Sequence, residues 1–116
     1  MKDDDRIRLR HMLDAAREAV GFAAGHDRSD LEANRMLALS LVKCIEIVGE
    51  AASRVSSAAR EEVPEIPWPD IVNMRHRLIH VYYDVNLDVL WQTVVEDLPH
   101  LILLLEQMLK GEAGDE

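Results

Sequence analysis

Apolar residues recur at spacings of three and four along nearly the whole chain, and clusters of turn-forming residues separate the stretches they mark. The first stretch covers about Asp4 to Ala24, with Ile7, Met12, Ala15, Ala16, Val20 and Phe22 on a loose apolar side, and Gly25-His26-Asp27 stops it. A second helix is predicted to begin at Ser29, where Ser29 and Glu32 match the S-x-x-E capping box that satisfies free N–H groups at a helix start. Leu37, Leu41, Cys44, Ile45, Val48, Ala52 and Val55 carry its apolar side to about Val55, opposite Lys43, Glu46, Glu50 and Arg54. A connector with a short helix near Ala58 to Glu62 then leads to Pro64, Pro67 and Pro69. Pro69 suits the first turn of a third helix, predicted from about Pro69 to Tyr82, because its missing N–H would have no partner there. Asp84-Val85-Asn86 breaks the pattern, and Asn86 can cap a last helix that runs to about Lys110 and is kinked by Pro99.

These four amphipathic stretches, with the short helix of the connector, make an all-α protein of helices packed on helices, in one domain that spans residues 1–116. The run from Leu98 to Leu105, broken by Pro99 and His100, is apolar on every side, where a helix of a small bundle keeps a polar face. A second buried surface accounts for the excess most simply, as in a homodimer; central burial within one bundle is the alternative.

Composition agrees with helices. Hydrophobic residues make up 48% of the chain and aromatics only 4%, so the core consists of Leu, Ile, Val, Ala and Met rather than the alternating β-branched and aromatic residues of a sandwich. The single cysteine, Cys44, rules out an internal disulfide and reads as a packed core thiol. The amino-terminal MKDDDRIRLR is too charged for a signal peptide, and no apolar run approaches the roughly 20 residues that span a membrane. A cytoplasmic protein is expected. The formal net charge of -9 argues against a broad nucleic-acid-binding surface, so a polyanion must meet a local basic pocket.

One such pocket is suggested by MRHRLIHVYY, Met74 to Tyr83, where two arginines and two histidines crowd into six residues. On a wheel for the third helix, Ile71, Met74, Leu78 and Tyr82 share one side, while Asn73, His76, Arg77 and His80 lie opposite. Arg75 falls inside the apolar arc. A guanidinium there needs a carboxylate, a backbone cluster or a phosphate, or it snorkels outward. Arg75 and His80 lie about 140° apart around the helix and roughly 7 to 8 Å apart along it, so one helix does not bring them together. Two copies meeting across a two-fold axis would line one cleft with both pairs.

A histidine that exchanges a proton near neutral pH and an arginine that grips a phosphate suit metal-independent RNA cleavage, in which the ribose 2′-hydroxyl attacks its own phosphodiester. The competing reading is a metal site, since His76 and His80 have H-x-x-x-H spacing. No glutamate of the H-E-x-x-H kind accompanies them, and no third ligand is evident.

The stretches IEIVGEAASRVS and VPEIPWPDIVNMRHRLIHVYYDVNLDVLWQTVVEDLP, with the amino-terminal DDDRIRLRHMLDAA, resemble the HepT-like branch of the HEPN superfamily over almost the whole chain. The bare R-x4-H pattern arises often by chance; its setting between IPWPDIVNM and YYDVNLDVLW, after IVGEAA, is far more specific. The resemblance implies an antiparallel four- to five-helix HEPN-like bundle that dimerises and acts as the ribonuclease toxin of a type VII-like toxin–antitoxin pair. It implies a composite site at the dimer interface, with Arg75 and His80 as catalytic residues and His76 as an auxiliary group. The longer motif of the branch, Arg, four residues, His, any residue, Tyr, is completed by Tyr82. The implied partner is an MNT-type nucleotidyltransferase antitoxin that transfers AMP to Tyr82, adding bulk and negative charge beside the phosphate site. No cofactor is implied. Val81 stands where the branch often has glycine, which narrows the space beside His80. Two other readings stay open: a non-catalytic helical partner of a minimal nucleotidyltransferase that binds protein or nucleotide, and a plain dimerising bundle in which Arg75 is internally salt-bridged.

Overall fold

A computed structural model describes residues 1–78 and 84–114 of the chain. Helix α1 is Asp3–Ala23, followed by the single turn α2, Asp30–Ala33, and the long α3, Arg35–Ser53. Short helices α4 (Ser57–Glu62), α5 (Trp68–Val72) and α6 (Met74–Leu78) come next. Then α7 (Leu87–Gln92) runs through a π-helical turn, Thr93–Asp97, into α8, Leu98–Gly114. The architecture is all-α, as the periodicity predicts.

Helix α1 packs along α3 on one side and α8 on the other. Contacts at both ends show that each packing is antiparallel. Asp5 meets Ser56 while Glu18 meets Cys44, and Arg17 meets Glu106 while the Val20–Ala24 end lies beside Trp91 to Pro99. Leu9, Met12, Leu41, Ile45, Val48, Leu90, Leu98 and Leu105 fill the space between them and are fully buried. Full burial of each such side chain contributes about 1.5–3 kcal/mol, which is why the apolar spacing carries the fold. Cys44 is buried here as expected, and burial, with Glu18 nearby, pushes its thiol up to about 11, far from a reactive thiolate.

Several local readings are corrected. Ser29 and Glu32 do not form a capping box: Ser29 has helical backbone angles and donates its hydroxyl to Asp27 (2.6 Å), while Glu32 pairs with Arg28. The reciprocal box lies two residues earlier. Asp27 accepts from the Asp30 N–H, and Asp30 accepts from the Asp27 N–H (2.9 Å). Carboxylates outcompete a serine because an ionised oxygen is the stronger acceptor for a backbone N–H. The predicted second helix is also divided at Asn34, whose side chain accepts from Leu37 N–H (3.0 Å) and so begins α3 afresh.

At the other end, Asn86 caps α7 by accepting from Val89 N–H, as expected. The Pro99 irregularity takes the form of a π-turn. Leu98 N–H reaches the carbonyl of Thr93, five residues back, immediately before the proline that donates nothing. In the apolar run beyond it, Leu98, Leu101 and Leu105 are core, Ile102 and Leu104 are half-buried, and Leu103 is 58% exposed. Most of that excess is therefore internal packing. No helix among the described residues is long and apolar enough to cross a membrane.

Candidate functional site

The predicted third helix is two helices. Asn73, with φ -95° and ψ 6°, ends α5, and its side-chain amide and backbone N–H both return to the carbonyl of Pro69. Across this break Ile71, Met74 and Leu78 still share one buried side, as the wheel groups them. Met74 and Leu78 anchor α6 in the core, whereas Arg75, His76 and Arg77 face outward. Arg75 was expected inside the apolar arc; it lies at the margin of that arc and reaches outward, its side chain 49% exposed and paired to Glu46.

Two features of the segment before the motif set its position. Trp68 is buried and donates its indole N–H to the carbonyls of Arg60 and Val63, while Arg60 lies over its ring and donates to the carbonyls of Ala52 and Val55. The IPWP segment is thus locked onto the end of α3. Gly49, the glycine of IVGEAA, lies where a Cβ would come within 3.3 Å of the Ile71 carbonyl and 3.4 Å of that of Val72. Its lack of a side chain lets α3 approach the backbone that leads into α6.

Arg75 Nε donates to Glu46 Oε1 of α3 at 2.9 Å, and Lys43 reaches the other oxygen of the same carboxylate at 4.0 Å. Both partners are substantially solvated, so the pair contributes about 0–1 kcal/mol. An internally paired Arg75 is what a plain bundle predicts. However, only Nε is engaged among the described residues, which leaves the guanidinium's terminal nitrogens available to an anion.

Arg75 also lines an open groove of roughly 510 Å³ between α1, α3 and α6, together with Arg8, His11, Lys43, Glu46 and Arg54. Glu50 adds a second carboxylate, already paired with Arg54 at 2.9 Å. Four fixed cations therefore face two carboxylates, which makes this groove locally positive in a chain of net charge -9. The sequence reading singled out neither Arg8 nor His11, and it had Glu46 only as part of a solvated helix side. Their i,i+3 spacing on α1 was the available signal; their approach to Arg75 is a tertiary fact.

His80 and Tyr82 lie outside the described residues, as does Tyr83. Described residues Leu78 and Asn86, on either side of that segment, are joined by a hydrogen bond from Asn86 N–H to the Leu78 carbonyl (2.7 Å). His76 is exposed on α6. No group of three or more His, Cys, Asp or Glu that could hold a metal ion occurs among the described residues, and the H-x-x-x-H pair includes His80, which lies outside them.

Comparison with known proteins gives a consistent result. The family model described as "Ribonuclease HepT-like" matches residues 12–108. A protein from Methanocaldococcus jannaschii named "Putative RNase" is 31% identical over 100 residues, covering 86% of this chain and 92% of the relative. Another of that name from Caldanaerobacter subterraneus is 30% identical over 104 residues, with 90% and 93% covered. A "Probable ribonuclease HepT" from Thermococcus cleftensis is 36% identical over 81 residues, covering 70% of this chain and 74% of the relative. No solved structure matches at comparable significance.

Proposed function

The chain belongs to the HepT-like ribonuclease family and is an RNA-cleaving enzyme, and we propose that it is a metal-independent endoribonuclease toxin whose composite site forms between two copies. The supporting observation is Arg75: the one motif guanidinium at the edge of a locally positive groove, held by a single nitrogen and open to an anion. In this reading Arg75 holds the scissile phosphate and stabilises the charge that builds on it. His80 moves the proton of the attacking 2′-hydroxyl or of the leaving 5′-oxygen, and His76 assists. The 2′-oxygen bonds to phosphorus as the bond to the 5′-oxygen breaks, leaving a cyclic phosphate and a 5′-hydroxyl. Neither a protein nucleophile nor a metal takes part.

Tyr82 is the regulatory position. An MNT-type nucleotidyltransferase antitoxin transfers AMP from ATP to its hydroxyl: the phenol oxygen bonds to the α-phosphorus, pyrophosphate leaves and the phenolic proton goes to solvent. The added phosphate repels RNA from the groove beside Arg75. Incubation with such a nucleotidyltransferase and ATP tests this step. The intact protein gains the mass of one AMP and stops cleaving RNA, and Tyr82→Phe gains none and stays active. Equal modification of Tyr82→Phe would place the acceptor elsewhere.

A further inference from the structure

The groove that holds Arg75 extends well beyond it. Arg8 and His11 project from the same side of α1, and Lys43 projects from α3. The carboxylates present are already committed: Glu46 to Arg75 and Lys43, Glu50 to Arg54. Arg8 differs from these cations. It is partly buried, yet among the described residues its side chain makes no ion pair or hydrogen bond. A guanidinium does not escape partial desolvation by losing its proton, so a partly buried, unpaired arginine favours an external anion.

We propose that Arg8, with His11 and Lys43, forms a backbone-phosphate subsite for single-stranded RNA, adjoining the position of the scissile phosphate at Arg75. This rests on the reading of Arg75 as a catalytic residue. A strand that places one phosphate on Arg75 carries further phosphates along the groove on either side, and Arg8 meets one of them on the α1 wall. Ile47, exposed at 38% in the same groove, offers an apolar surface to a ribose or base. Elsewhere the acidic surface repels a polyanion, so the strand follows this cationic track. The subsite explains how so acidic a chain retains RNA long enough to cut it.

Binding of a fluorescent 2′-O-methyl RNA oligonucleotide, which lacks the attacking hydroxyl, tests the subsite apart from cleavage. Anisotropy titrations over a range of salt compare the wild type with Arg8→Gln, Lys43→Gln and, as a control, Arg17→Gln on another side of α1, with circular dichroism confirming the helical fold. Arg8→Gln and Lys43→Gln should each weaken binding several-fold and lower the salt slope by about one. Arg17→Gln should match the wild type. An Arg8→Gln protein with wild-type affinity and slope overturns the subsite, as does a preference for poly-glutamate over RNA. His80→Ala separates the two claims, because it should fail to cleave unmodified RNA. Should it cleave at the wild-type rate, the catalytic assignment falls and the binding comparison still decides the subsite.

Discussion

Ser56 donates both its backbone N–H (2.8 Å) and its hydroxyl (2.7 Å) to the buried carboxylate of Asp5, tying the first turn of α1 to the start of α4. The hydroxyl bond, then the backbone bond, holds the Asp5 carboxyl below its ordinary range. A lowered native value means that this stabilisation is complete above the ordinary carboxylate pKa and is lost as pH falls through the native one. Asp5→Ala should therefore cost about 1–3 kcal/mol at neutral pH, with the difference from wild type shrinking in strong acid; urea denaturation from neutral pH downward reads both. A constant difference across the pH range would assign the loss to packing instead. Arg75 is the opposite case, an exposed pair worth little to stability. Its candidacy was legible in the sequence through its motif, but its partner Glu46 was not, because the two are 29 positions apart and no local period links them.

At the scale of elements, most helices were readable and their breaks were not. The long apolar periods of α1, α3 and α8 announce themselves because burial on one side decides them. The divisions at Asn34 and Asn73 rest on one side chain each and leave the apolar period almost undisturbed, so periodicity passes over them. Asn34→Ala should cost about 0.5–2 kcal/mol as the loss of a cap, whereas Ser29→Ala should stay within about 0.5 kcal/mol because Ser29 caps nothing. Thermal unfolding of the two variants checks the order, and a larger loss at Ser29 would restore the capping box first read from the sequence. Gly49 connects this scale to the site. Gly49→Val should push α3 off the Ile71 and Val72 carbonyls, costing about 1–3 kcal/mol as overpacking and lowering RNA cleavage in protein that remains folded. Activity unchanged in a folded Gly49→Val protein would show that α6 tolerates displacement of α5.

At the scale of the whole molecule, an acidic all-α chain concentrates positive charge in one groove and sets its motif arginine at the edge. The fold class was legible in the pattern of residues, and the resemblance that pattern carries made Arg75 a candidate. The α1 side of the groove was hidden, because only folding brings Arg8 and His11 beside a residue more than sixty positions away. The central claim is that this chain cuts RNA by itself through Arg75 and His80. It is tested most directly by incubating purified protein with total RNA in the presence of a metal chelator, without any partner, beside Arg75→Ala and His80→Ala. The account predicts cleavage by the wild type and a loss of about 100-fold or more in each variant. Intact RNA with the wild type, or cleavage by His80→Ala at the wild-type rate, would contradict it.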